Sequence, residues 1–111
     1  MAISNTRLTT TEATAVYTST GNNAITTIVV CNTGDVNLTD ETENACDLTM
    51  YFVPNLGVAV DETTVVKNLT IPPGETVFFS DEKVILGTGD FISAKASVEN
   101  LLTVTVSSLS V

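Results

Sequence analysis

The chain has 111 residues, the size of one domain with a single modest core. Its apolar fraction, 43%, is that of a globular fold and too high for disorder. The 13 acids against 4 bases give a formal net charge of −9, which opposes binding to nucleic acid or to an anionic membrane surface, and no apolar run has the length of a membrane-spanning helix.

Residues 1–11 are small and polar and read as an N-terminal arm or edge strand ahead of a sandwich domain over residues 12–111. Residues 13–18 form a short strand candidate, and the Gly and Asn of 20–23 suit a turn. Residues 24–32 are apolar at successive positions, which predicts a central strand covered on both sides. Residues 33–45 are the longest polar segment. Residues 47–53 read as a strand with Leu48, Met50 and Phe52 on one face, broken by the Pro and Gly of 54–57. Thr64–Ile71 is a further strand, ended by the turn PPGE at 72–75. Short strands follow at 76–80 and 84–86.

After the turn GTGD at 87–90, Ile92, Ala94, Ala96 and Val98 alternate with polar neighbours, and Leu102, Val104 and Val106 do so again. A period of two marks strands with one buried face. Leu109 and Val111 fall out of phase with Leu102, so a β-bulge is predicted near Ser107 and Ser108. Thr, 20 in number, suits strand surfaces, and no helical apolar stripe appears. The fold class is therefore all-β: a single small β-sandwich, jelly-roll or Ig-like, with seven to nine short antiparallel strands. A closed barrel is the other architecture with this pattern.

Candidates for chemistry have plain structural readings. Asp35, Asp40, Glu41, Glu43 and Asp47 cluster in or beside the polar segment but lack the glycine and terminal Glu of a calcium loop. They read as solvated, as do Asp61, Glu62, Asp81 and Glu82. The chain has no histidine, and Lys67, Lys83 and Lys95 are scattered; only Ser80 and Lys83 have a Ser-x-x-Lys spacing, with two acids between them. The glycine pair at 87–90 is followed by no helix, and Asp90 would repel a phosphate. Asn37 and Asn68 begin glycosylation triplets that matter only on a secretory route, and MAISNTRLTTTE has no secretory leader pattern. Cys31 and Cys46 are expected as free thiols, and two thiolates without histidine do not complete a zinc site. No catalytic, cofactor-binding or metal-binding residue is predicted, and no cofactor.

Four segments, VYTSTG at 16–21, IVVCNT at 28–33, IPPGET at 71–76 and VILGTGDFISA at 84–94, carry a resemblance. Together they resemble a group of small β-sandwich virion proteins of tailed bacteriophages, including phages of marine cyanobacteria. The resemblance implies a non-enzymatic structural protein located in the virion and assembled in the host cytoplasm. It implies a capsid decoration, or cement, protein that contacts the major capsid protein and self-associates as a homotrimer. A tail, neck or fibre component is the alternative within that group. The polar segment 1–11 is the expected contact with a neighbour, and its removal is expected to leave the domain folded.

Overall fold

The computed structural model describes residues 2–36, 39, 43–79 and 84–111. Nine strands account for most of them: β1 (Ala2–Arg7), β2 (Thr14–Thr18), β3 (Asn23–Asn32), β4 (Cys46–Val53), β5 (Thr64–Ile71), β6 (Thr76–Phe79), β7 (Val84–Leu86), β8 (Phe91–Ala96) and β9 (Leu102–Ser110). One 3₁₀ turn, Asp61–Thr63, interrupts the β4–β5 connection.

The strands form two antiparallel sheets. The first runs β1–β9–β3–β6, with β7 beside the other half of β3, and the second runs β2–β8–β4–β5. Each strand of the first half of the chain pairs with its counterpart from the far end: β1 with β9, β2 with β8, β3 with β7 and β6, β4 with β5. This is one long hairpin, closed at the β4–β5 connection and rolled so that successive strand pairs fall in opposite sheets. The winding is that of a jelly roll, which decides between the two sandwich topologies expected from sequence.

The core lies between the sheets and is built from the alternation. Leu102, Val104 and Val106 of β9 and Ile25, Ile28 and Val30 of β3 meet Leu48 and Met50 of β4 and Ile92, Ala94 and Ala96 of β8, all buried. Each large aliphatic side chain buried in this way contributes about 1.5–3 kcal/mol. Leu8, just after β1, is fully buried in the same core, and its N–H donates to the Leu102 carbonyl at 2.9 Å. Residues 2–8 are therefore part of the sandwich: Ala2–Arg7 pairs with β9 along its whole length. β1 is thus an edge strand, one of the two readings of residues 1–11, and removing those residues would also take Leu8 out of the core.

Three expectations about faces change. In β3 the residues turned away from the core, Ala24, Thr27, Val29 and Cys31, are half-buried side by side, with no second layer described over them. In β4 both faces are buried, because Tyr51 and Val53 are as inaccessible as Leu48 and Met50. Val98 lies beyond the end of β8 and is exposed.

The predicted bulge lies at the right level of the sheet but on the other strand. Ser108 pairs with Ile25 and Ser107 with Thr27, so the extra residue is Thr26 of β3. Its hydroxyl donates to the Ser107 carbonyl at 3.1 Å and contacts the Ser107 hydroxyl at 2.9 Å. β9 keeps one phase throughout: Ser108 points inward, and Leu109 points outward.

Turns follow local chemistry. The Glu75 N–H donates to the Pro72 carbonyl at 3.2 Å, with Gly74 at φ 79°, a type II turn. At 87–90 the Asp90 N–H donates to the Gly87 carbonyl at 3.1 Å, with Gly89 at φ 87°. Asn32, at the end of β3, is fully buried. Its amide donates to the carbonyls of Asn44 (2.8 Å) and Ile71 (2.9 Å) and accepts from the Gly34 N–H (2.9 Å), fastening the first sheet to the second. Both cysteines are free thiols, Cys46 buried and Cys31 half-buried. Among the described residues no buried side-chain nitrogen or oxygen lacks a hydrogen-bond partner.

Candidate interaction surface

The register places the outward side chains of the first sheet in four rows. Arg7, Thr103, Cys31 and Thr76 form one; Asn5, Thr105, Val29 and Phe78 the next; Ile3, Ser107 and Thr27 a third; and Leu109, Ala24 and Ile85 the last. Ile3, Phe78 and Ile85 are each about two-thirds exposed, and Leu109 less so. Hydroxyl and amide groups fill most of the remainder, some already paired: the Thr105 hydroxyl donates to Asn5 Oδ1 at 2.6 Å.

Among the described residues the one charge on this face is Arg7, whose guanidinium is held at the margin by two bonds to the Asn100 carbonyl, 2.7 and 3.2 Å. No strand of the first sheet contains a carboxylate. The described acids lie in the loops and turns, at Glu12, Asp35, Glu43, Asp61, Glu62, Glu75, Asp90 and Glu99, with Asp47 in β4 as the exception. In a chain of net charge −9, an uncharged Thr, Ser and apolar face is an uneven distribution. Solubility favours charge everywhere, so a face without it suits contact with another surface.

The second sheet differs. Its outward residues Thr49, Tyr51, Val53 and Ser93 are buried. Gly57 sits so close to Val53 that an added Cβ would lie 3.1 Å from its Cγ1. The centres of the two broad faces are thus unlike: Thr49, Tyr51, Val53 and Ser93 are buried on the second sheet, whereas Thr27, Val29, Thr105 and Ser107 are half-buried on the first.

The candidates singled out from sequence do not converge on a reaction centre. Asp35 and Glu43 are exposed, and the Asp47 carboxylate accepts from the Thr70 hydroxyl at 2.7 Å. Asp40 and Glu41 lie outside the described residues, as do Asn37, Asp81, Glu82 and Lys83. Among the described residues no three acid, Cys or His side chains are grouped to hold a metal. Asp61 and Lys67 approach to 4.0 Å in full solvent, a contact of little energetic weight. Asn68 in β5 has φ 50°, and its side-chain oxygen accepts from the Thr49 hydroxyl. The 87–90 turn does bind an anion, but it is its own: Asp90 Oδ2 accepts from the Gly87 N–H and Oδ1 from the Asn55 N–H, each at 2.9 Å. That carboxylate clamps two neighbouring turns together.

Two clefts open between the sheets, one beside Phe79 and one beside Val84. One, of about 160 Å³, is lined by Ile28, Met50, Phe52, Val65, Val66 and Phe79. The other, of about 250 Å³, is lined by Phe52–Pro54, Val84–Leu86 and Asp90. The first is wholly apolar, and the second has only the already engaged Asp90, so neither presents converging polar groups.

No family model, curated protein or solved structure matches the chain. The carboxylate-free face of the first sheet is the feature that the reading of sequence missed. Its signal was present as the lack of any acid in 2–7, 23–32, 76–79, 84–86 and 102–110, but it becomes a surface only once the register brings those segments together.

Proposed function

We propose that this jelly roll is a non-enzymatic structural protein of a bacteriophage virion. In this reading it is a capsid decoration protein on the outer surface of the head, where it contacts the major capsid protein and stabilises the shell. The observation that carries the reading is the broad outer face of the first sheet, where the described residues include no carboxylate. A protein that works by lying on a large surface needs one broad face that can be desolvated cheaply. Hydroxyl and aliphatic side chains meet that need better than carboxylates, whose desolvation is costly. The acidic loops then remain in solvent. Binding to the assembled shell alone stabilises that shell by mass action. The phage setting and the partner rest on the resemblance of the turn motifs.

A tail, neck or fibre component is the second reading, favoured by a feature at one end of the sandwich. Leu56 is 94% exposed at a backbone φ of 65°, an unfavourable conformation for a leucine, with Val58 exposed beside it. An apolar loop held out at one end suits end-on contact. Three-fold self-association has no separate support among the described residues.

The test is gold-labelled antibody against this chain applied to intact particles of the phage that encodes it. Label on the heads is the expected result. Label on tails would establish the second reading, and particles without label would overturn both.

A further inference from the structure

The two sheets have four edges, and three of them carry devices that discourage a further strand. β2 has a register break between Ala15 and Tyr17. β5 pairs with β4 through two register breaks and carries Lys67 and the left-handed Asn68. The edge opposite β1 is divided between two short strands, β6 and β7. Bulges, charges and short strands are how proteins keep sheet edges from pairing. β1 has no bulge, and its one charge is Arg7 at its end. It runs six residues in unbroken register with β9.

Its outward backbone groups can be assigned. Leu8 donates to Leu102, and hydrogen-bonded positions alternate along an antiparallel ladder. Ala2, Ser4 and Thr6 therefore turn their N–H and C=O groups toward β9. Those of Ile3, Asn5 and Arg7 turn to the outside, where no backbone hydrogen bond from another described residue reaches them. Ile3 and Asn5 also present their side chains on the carboxylate-free face.

We infer that β1 pairs with β1 of a second copy, antiparallel about a two-fold axis at Asn5, so that the two first sheets become one continuous sheet. This register sets Ile3 of each copy opposite Arg7 of the other and satisfies all three outward pairs of backbone groups. A second copy is the occupant because the edge is complementary to itself, and charge restricts where two copies can meet. Two bodies of net charge −9 repel wherever their acidic loops meet, and β1 borders the one face without a carboxylate. A two-fold contact at that edge brings uncharged strands together and leaves only Arg7 near the seam. It is self-complementary, as closed two-fold assembly requires. The contact is a single strand pair, so pairing is reversible and depends on concentration. None of this depends on the virion reading.

Sedimentation velocity on the purified chain, over a concentration series at low and high salt, tests the inference. The expected result is a monomer–dimer equilibrium that strengthens with salt, because salt screens repulsion between acidic bodies and the seam contains no ion pair. Ile3→Pro removes an N–H from the outside of β1 only. It should weaken dimerisation about tenfold or more while circular dichroism and melting stay close to wild type. Asn5→Lys, an edge charge, should do the same if proline perturbs the strand. A chain that stays monomeric or forms a trimer at every concentration overturns the inference. So does a dimer that both variants leave intact.

Discussion

Asn32 shows how one side chain can hold two sheets together. With its amide fully bonded between Asn44, Ile71 and Gly34, truncation leaves two carbonyls and an N–H buried without partners. Asn32→Ala should cost about 3 kcal/mol in urea unfolding, and a loss below about 1 kcal/mol would show the network to be peripheral. Gly89 is constrained by its φ of 87°, and the exposed Asn55 side chain would also have to shift to admit a Cβ. Gly89→Ala should destabilise by about 2–3 kcal/mol, read from the same measurement. The turns at 72–75 and 87–90 were legible in the sequence because turn chemistry is local. The Asn32 network was not, since two of its partners lie 12 and 39 residues away.

Among the elements, β9 teaches most about what alternation can and cannot say. Its existence and extent follow from Leu102, Val104 and Val106. The out-of-phase Leu109 suggested a bulge within β9, but an extra residue in either strand of a pair gives the same mismatch. The structure puts it at Thr26 and leaves Leu109 on the surface. Leu109→Ser should therefore change stability by less than about 0.5 kcal/mol. Leu8→Ala, at a residue read from sequence as part of an arm, should cost about 2–5 kcal/mol. Equal losses for the two would return Leu109 to the core and contradict the register. β4 was half legible. Its inward side followed from Leu48, Met50 and Phe52, whereas burial of Tyr51 and Val53 on the other side has no periodic signature, and for Val53 it involves Gly57 beyond the strand. With Cys31 and Cys46 both free, melting should be the same with and without reductant. A loss of about 2–4 kcal/mol on reduction would mean a bridge.

At the scale of the whole molecule, the all-β class follows from the period of two and the absence of a helical stripe. The jelly-roll winding does not, because it depends on which distant strands become neighbours. β1 and β9 pair from opposite ends of the chain, and nothing in either segment names the other. Surface character is equally non-local: a net charge of −9 gives no hint that one broad face lacks acids until the pairing gathers its five strands. The functional account rests on that face. Its most direct test is binding of the purified chain to phage heads stripped of it, comparing wild type with Phe78→Glu. Phe78 is exposed on the carboxylate-free face, so the substitution should leave folding and melting unchanged and weaken attachment by about tenfold or more, because it forces a carboxylate into a desolvated contact. Attachment of Phe78→Glu at the wild-type level would contradict the account.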